Sequence, residues 1–157
     1  MKRAAWLAER RAAVEADYTR DASTYDEGYD PLTPTHRSFA ARLIATVPAD
    51  GSLLDAPCGT APYATTVLEA DRRYVGADQS AGMLDQARSK HPDVRFEQLG
   101  LQELAFDRDF DGAMCVDAME HVPPEEWPLV VGNFHRAIRP RGYLYPSAIR
   151  CTRGSGR

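Results

Sequence analysis

LLDAPCGTAP, Leu53 to Pro62, passes from an aliphatic pair to a carboxylate, then through a Pro-Cys-Gly-Thr turn to a second proline. The pair reads as the end of a buried strand. Gly59 supplies a residue that tolerates positive φ and lets backbone approach a ligand with no Cβ in the way. Pro62 suits the first turn of a following helix. Strand, glycine loop and helix start, in that order, place a binding loop at the carboxyl end of a strand, where open parallel sheets hold their ligands. The plain alternative is an ordinary strand-to-helix turn.

Outward from this loop the chain alternates. Strands are predicted at 52–55, 73–77, 94–99, 110–116 and 142–148, and helices at 62–70, 81–90 (capped by Ser80) and 124–139. Connections of this length are what parallel pairing needs, so the pattern predicts an α/β, Rossmann-like doubly wound sheet, mostly parallel, of about five strands. Upstream, residues 2–17 and 35–47 carry helical apolar spacing, the second capped by Thr35, and 18–34 has loop composition. The division expected is an N-terminal helical lid (1–48), a binding domain (49–149) and an irregular tail (150–157).

The second acid narrows the ligand. Asp78 ends YVGAD, 19 residues after Gly59. In nucleotide-binding α/β folds an acid about 20 residues past the glycine loop accepts from the ribose hydroxyls. Asp55 beside the loop would repel a pyrophosphate but suits an ammonium or sulfonium. Neither G-x-G-x-x-G nor Gly-Lys-Ser/Thr occurs, which argues against dinucleotide and triphosphate loops.

LLDAPCGTAPYA, YVGADQSAGML, QLGLQELAF, FDGAMCVDAMEHVPPEEW and AIRPRGYLY resemble, in order and spacing, the successive motifs of class I S-adenosylmethionine-dependent methyltransferases, over roughly residues 50–145. The resemblance implies S-adenosyl-L-methionine as cofactor and no metal. It puts Asp55, Cys58 and Gly59 along the methionine portion, Asp78 on the ribose diol, Gln79 and Met83 beside the adenine, and Asp117 near the methyl donor. Leu101 and Gln102 fall at the adenine edge. Family members often carry an acid where this chain has Leu101, so Gln102 is the expected substitute. Core packing is the alternative for Met83 and Leu101. His121, beside Glu120, is the candidate general base, because imidazole exchanges protons near neutral pH. Its alternative is to orient the loop that follows. Similar enzymes fold an N-terminal segment over the cofactor, and Tyr25 is the aromatic expected to face the sulfonium, a contact of about 0.5–2 kcal/mol. Tyr18 and Tyr29 are expected to pack the lid.

Three departures from the family stand out. Ala61 replaces a loop glycine, tolerable while its φ stays negative. Arg141 replaces the first glycine of a Pro-Gly-Gly turn. The family's sixth and seventh strands have no counterpart here, so a shortened gene product is expected; beyond Glu126 the chain has six arginines and no acid. Pro146 then lies on an edge strand, where a missing amide is tolerated, and an open edge offers self-association.

Composition excludes other classes. Net charge is −4, which gives no electrostatic footprint for nucleic acid or anionic membrane. No apolar run reaches the roughly 20 residues of a membrane span. Three cysteines, without metal-like spacing, fit a reducing cytoplasm. The function expected is methyl transfer to a small-molecule acceptor. The alternatives are a cofactor-binding but inactive domain and, far behind, a nicotinamide-dependent oxidoreductase.

Overall fold

The computed structural model describes residues 2–147. A five-stranded parallel sheet has the order β3-β2-β1-β4-β5, formed by β1 (Ser52–Asp55), β2 (Arg73–Asp78), β3 (Arg95–Gln98), β4 (Phe110–Cys115) and β5 (Ile138–Pro146). Six α-helices accompany it: α1 (Arg3–Asp21), α2 (Tyr25–Gly28), α3 (Pro34–Thr46), α4 (Ala64–Glu69), α5 (Ala81–Lys90) and α6 (Trp127–Ala137). This is the Rossmann-like arrangement that the alternation predicts. The expected tail, 150–157, lies outside the described residues.

β1 is central, and its aliphatic pair shows why. Leu53 and Leu54 point to opposite faces, as successive strand residues must, and both are fully buried. Each such leucine contributes about 2 kcal/mol of burial. Leu53 packs with Tyr74, Met114 and the apolar sides of α3, α4 and α5. Leu54 packs with Val75, Ala113 and Cys115 against Val130 and Phe134 of α6. Gly76 of β2 is glycine for space, since a Cβ there would lie 2.6 Å from the Phe96 ring and 2.9 Å from Cys58 Sγ.

Several boundaries move. The segment 18–34 is not all loop: α1 continues to Asp21, and α2 follows. Thr33, not Thr35, caps α3, its hydroxyl accepting from His36 N at 3.3 Å, because Pro34 occupies the first helical position. The helix expected over 124–139 divides into a 3₁₀ turn, Pro124–Glu126, and α6, and β5 starts directly after it. Its ladder with β4 jumps from Phe110↔Ile138 to Gly112↔Tyr143, so alternation was legible only past the irregularity. The expected lid also splits. Ala40, Leu43 and Ile44 of α3 belong to the sheet's core, which leaves α1 and α2 as the cover.

Ala61 and Arg141, the two positions lacking the family's glycines, keep the glycine conformation. Their φ values are +60° and +71°. The condition under which an alanine is tolerated without strain at position 61, a negative φ, is therefore not met. A left-handed alanine costs about 1–2 kcal/mol.

Candidate cofactor and active site

The carboxyl ends of β1, β2 and β4 open into one cavity, roofed by α1, α2 and the loop after them. Asp55 ends β1 and Asp78 ends β2, and both are buried. Asp55 Oδ2 accepts from the Tyr74 hydroxyl at 2.6 Å. Burial pushes Asp55 up to about 7; Tyr74 pulls it down and the charge of Asp78 pushes it further up. Asp78 is framed by backbone instead. Its Oδ2 accepts from Gly59 N at 2.9 Å and its Oδ1 from Ser80 N at 2.8 Å. Burial raises Asp78, and these amides oppose the rise. Each carboxylate oxygen has a second lone pair, so both acids can still accept from a ligand.

Between them Gly59 has φ +53°, and a Cβ built there would meet nothing within 4 Å. The loop thus borders open space rather than protein. Cys58 lies beside it, its amide donating to Ala77 O at 2.8 Å; burial pushes its thiol well up. Ser80 caps α5 by accepting from Met83 N at 3.1 Å, which seats Met83 in the cavity wall.

The β4 tip is fastened by side chains. Asp117 Oδ2 accepts from Tyr29 OH at 2.6 Å and faces His36 Nε2 at 3.2 Å. Its Oδ1 accepts from Ser147 Oγ at 2.8 Å. His121 Nε2 meets Tyr18 OH at 2.9 Å. Tyr25 stands between Tyr18 and Tyr29, with ring centroids 5.9 and 5.4 Å away, and burial pushes its phenol up to about 12.

All eleven residues singled out from the sequence line this cavity: Tyr25, Asp55, Cys58, Gly59, Asp78, Gln79, Met83, Leu101, Gln102, Asp117 and His121. Its empty space is about 990 Å³, open mouth included. Two details differ from expectation. Tyr18 and Tyr29 do more than pack, since each holds a polar residue of the β4 side. Gln102 does not offer its NH₂ group to the cavity, because Nε2 donates to Glu126 Oε2 at 2.9 Å.

Other residues were missed. Tyr74 was readable from register, since it pairs with Leu53 and so shares a face with Asp55 two residues on. Asp26, which accepts from Thr60 Oγ1 at 2.7 Å and from Lys90, spans too much sequence to be read. Among the described residues no group of His, Cys, Asp or Glu could hold a metal ion. None of the described helices is long and apolar enough to cross a membrane.

Residues 53–142 match the methyltransferase domain family. The chain belongs to that family. Its sheet and motifs place it in class I, whose cofactor is S-adenosylmethionine. The domain is similar to the malonyl-[acyl-carrier protein] O-methyltransferase of Pectobacterium atrosepticum, 30% identical over 122 residues, which cover 74% of this chain and 46% of that protein. It is 29% identical over 110 residues to the dTDP-3-amino-3,6-dideoxy-alpha-D-glucopyranose N,N-dimethyltransferase of Streptomyces fradiae, covering 67% and 43%. The matched stretch thus spans under half of each relative's length. Among solved structures, the DhpI–SAH complex is 27% identical with a TM-score of 0.71, covering 88% of this chain and 67% of that one. The Burkholderia thailandensis 1,6-didemethyltoxoflavin-N1-methyltransferase, solved with bound 1,6-didemethyltoxoflavin and S-adenosylhomocysteine, shares the fold at TM-score 0.70 and 24% identity, covering 88% and 63%.

Proposed function

We propose that this domain binds S-adenosylmethionine in the roofed cavity and transfers its methyl group to a small-molecule acceptor. The observation that carries the proposal is the open cradle at Gly59, set between the buried carboxylates Asp55 and Asp78. Its donors and acceptors fit an aminoacyl sulfonium nucleoside: an acid for the ammonium, an acid for the diol, and soft or aromatic side chains for the ring and the sulfonium. When bound, the cofactor supplies an electrophilic methyl group that an acceptor nucleophile takes by in-line displacement.

The protein's part is alignment and exclusion of water. Asp78 holds the diol, and Gly59 lets the loop come close. Asp55 would hold the ammonium, Cys58 and Asp117 would line the methionine side, and Tyr25 would offer its aromatic face to the sulfonium. Gln79, Met83, Leu101 and Gln102 enclose the base. His121, steadied by the Tyr18 hydroxyl, takes a proton from an acceptor that carries one. The small-molecule reading draws on the compounds named for the relatives, a dTDP-sugar and 1,6-didemethyltoxoflavin; the malonyl-[acyl-carrier protein] relative takes a small acyl group borne on a carrier.

Calorimetric titration with S-adenosylhomocysteine tests the cofactor site. Asp78→Ala removes the diol's acceptor and the anchor of two loop amides, so affinity falls by about 100-fold or more. Unchanged affinity in that variant sinks the proposal. Methyl release over an acceptor panel then tests transfer.

A further inference from the structure

The β4 end of the cavity has its own chemistry. Tyr18, Tyr25, Tyr29 and Tyr63 line it, together with Asp117 and His121. Three of these phenols have their hydroxyls engaged within the protein. Tyr29 OH donates to Asp117 Oδ2 at 2.6 Å, Tyr63 OH donates to Pro31 O at 2.8 Å, and Tyr18 OH meets His121 Nε2 at 2.9 Å. What they leave for a ligand is ring, and a ring face attracts a cation and repels an anion. Asp117 adds a carboxylate whose side chain is fixed from three segments by Tyr29, His36 and Ser147. His36 needs no charge for this. A neutral ring can donate from Nε2 to Asp117 and accept at Nδ1 from Tyr145 OH, 2.8 Å away. Burial pushes the Tyr18 and Tyr25 phenols up, Tyr25 to about 12, and the charges of Asp78 and Asp117 push both the same way, with Glu120 adding to the effect at Tyr18. The field of the acids thus reaches the rings. Among the described residues, the one lysine or arginine in the cavity wall is Arg11. It faces Glu126 Oε1 at 3.3 Å and borders an outer groove beside Gln79, Gly100 and Gln102, away from Asp117.

We propose that the methyl acceptor is an amine: the β4 end of the cavity takes a primary or secondary amine and turns away a carboxylate of the same size. The inference deepens the methyl-transfer reading above and rests on it. A bound ammonium gives a proton to the His121 imidazole, and the freed nitrogen lone pair forms the bond to the methyl carbon. The carbon–sulfur electron pair stays on sulfur, so the sulfonium becomes a thioether.

The probes are benzylamine and benzoate, similar in shape and opposite in charge. Each is titrated by ligand-observed NMR into the domain saturated with S-adenosylhomocysteine, which keeps them out of the cofactor's own contacts. Benzylamine should bind about 10-fold or more tightly than benzoate. Asp117→Asn should cut that ratio by half or more. Glu120→Gln, at an exposed position, should lower it as well and serves if the first variant does not fold. Glu69→Gln makes the same charge change at the last residue of α4, also exposed. It should leave the ratio as it was, which separates the cavity from the chain's net charge of −4. Benzoate binding as tightly as benzylamine overturns the inference. So does binding of neither probe, or a ratio that Glu69→Gln lowers as much as Glu120→Gln. Each of these leaves the cofactor site standing. Failure of S-adenosylhomocysteine itself to bind takes down the cofactor site as well.

Discussion

The tips of β1 and β2 and the tip of β4 face the same cavity but are fastened by different means. On the first side, backbone amides do most of the holding: Gly59 N and Ser80 N donate to the Asp78 carboxylate and Cys58 N donates to Ala77 O, with the Tyr74 hydroxyl on Asp55 as the side-chain contact. On the second, side chains far apart in sequence hold one another. Tyr29 reaches Asp117 across 88 positions and Tyr18 reaches His121 across 103. The amides here order a single side chain, Asp78, against backbone the sheet already fixes, so the arrangement persists whichever ligand is present. A side-chain web costs entropy to order and can open as a unit with the lid. The fixed side suits the part of a ligand that never changes, and the looser side suits entry and an acceptor.

The largest predicted effect falls on the fixed side. Gly59→Val meets no protein atom within 4 Å, but its φ of +53° is one a β-branched residue resists. Folding should lose about 2 kcal/mol, roughly 5 °C in the melting midpoint. Affinity for S-adenosylhomocysteine should fall by about 100-fold or more, because the side chain enters the space the ligand needs. Melting curves and calorimetry separate the two effects. A variant that melts early but binds normally would show that the cradle is only a turn.

Asp55 gives the next effect, one that depends on pH. Its folded value of about 7 stands above the roughly 3.9 of an unfolded aspartate. The folded state therefore binds the proton more tightly. The stability tied to this proton is whole below about pH 4 and is lost as pH rises through about 7. Asp55→Asn keeps an oxygen for the Tyr74 hydroxyl and carries no titrating group. Without ligand it should outlast the wild type by about 2–4 kcal/mol at pH 8 and by much less at pH 5. Ligand binding should show the reverse. An ammonium favours the ionised acid, so wild-type affinity for S-adenosylhomocysteine rises from pH 6 to 8, while that of Asp55→Asn is weaker and flatter. An equal stability gap at pH 5 and pH 8 would remove Asp55 from this role.

The same contrast explains how much could be read from the chain. Asp55, Gly59 and Asp78 were legible because each sits at a strand end or in the loop that follows, and spacing alone fixes such positions. Ser80 was legible as a local cap of α5. Asp117 and His121 were reached only through the family's motif, and their partners Tyr29, His36, Ser147 and Tyr18 were not, since nothing local ties α1 or α3 to the β4 tip. Gln102 marks the boundary. Its place in the cavity wall followed from the motif, but the bond of its NH₂ to Glu126, 24 residues away, did not. The sign of the Ala61 φ was not legible at all: the fold imposes its left-handed turn even where glycine is missing.

The smallest effect tests how the roof is tied to the cradle loop. Asp26 of α2 pairs with Lys90 at the end of α5 and accepts from Thr60 Oγ1 in the cradle loop. Burial pushes Asp26 up, but Lys90 and Thr60 outweigh it and hold the acid below its usual value. The side chains of this pair are 46% and 39% exposed, so the solvent screens much of their attraction, and about 0.5 kcal/mol is the expected scale. Asp26→Asn keeps the Thr60 contact and loses only the charge. Stability should fall by no more than that amount, while S-adenosylhomocysteine dissociates about two- to threefold faster as the roof opens more often. Near 1 M salt the Debye length drops to about 3 Å, and the wild type should then release ligand at the variant's rate. A loss as large as that of Gly59→Val would mean that the lid is as firmly built as the cradle, and the division between the two sides would fall.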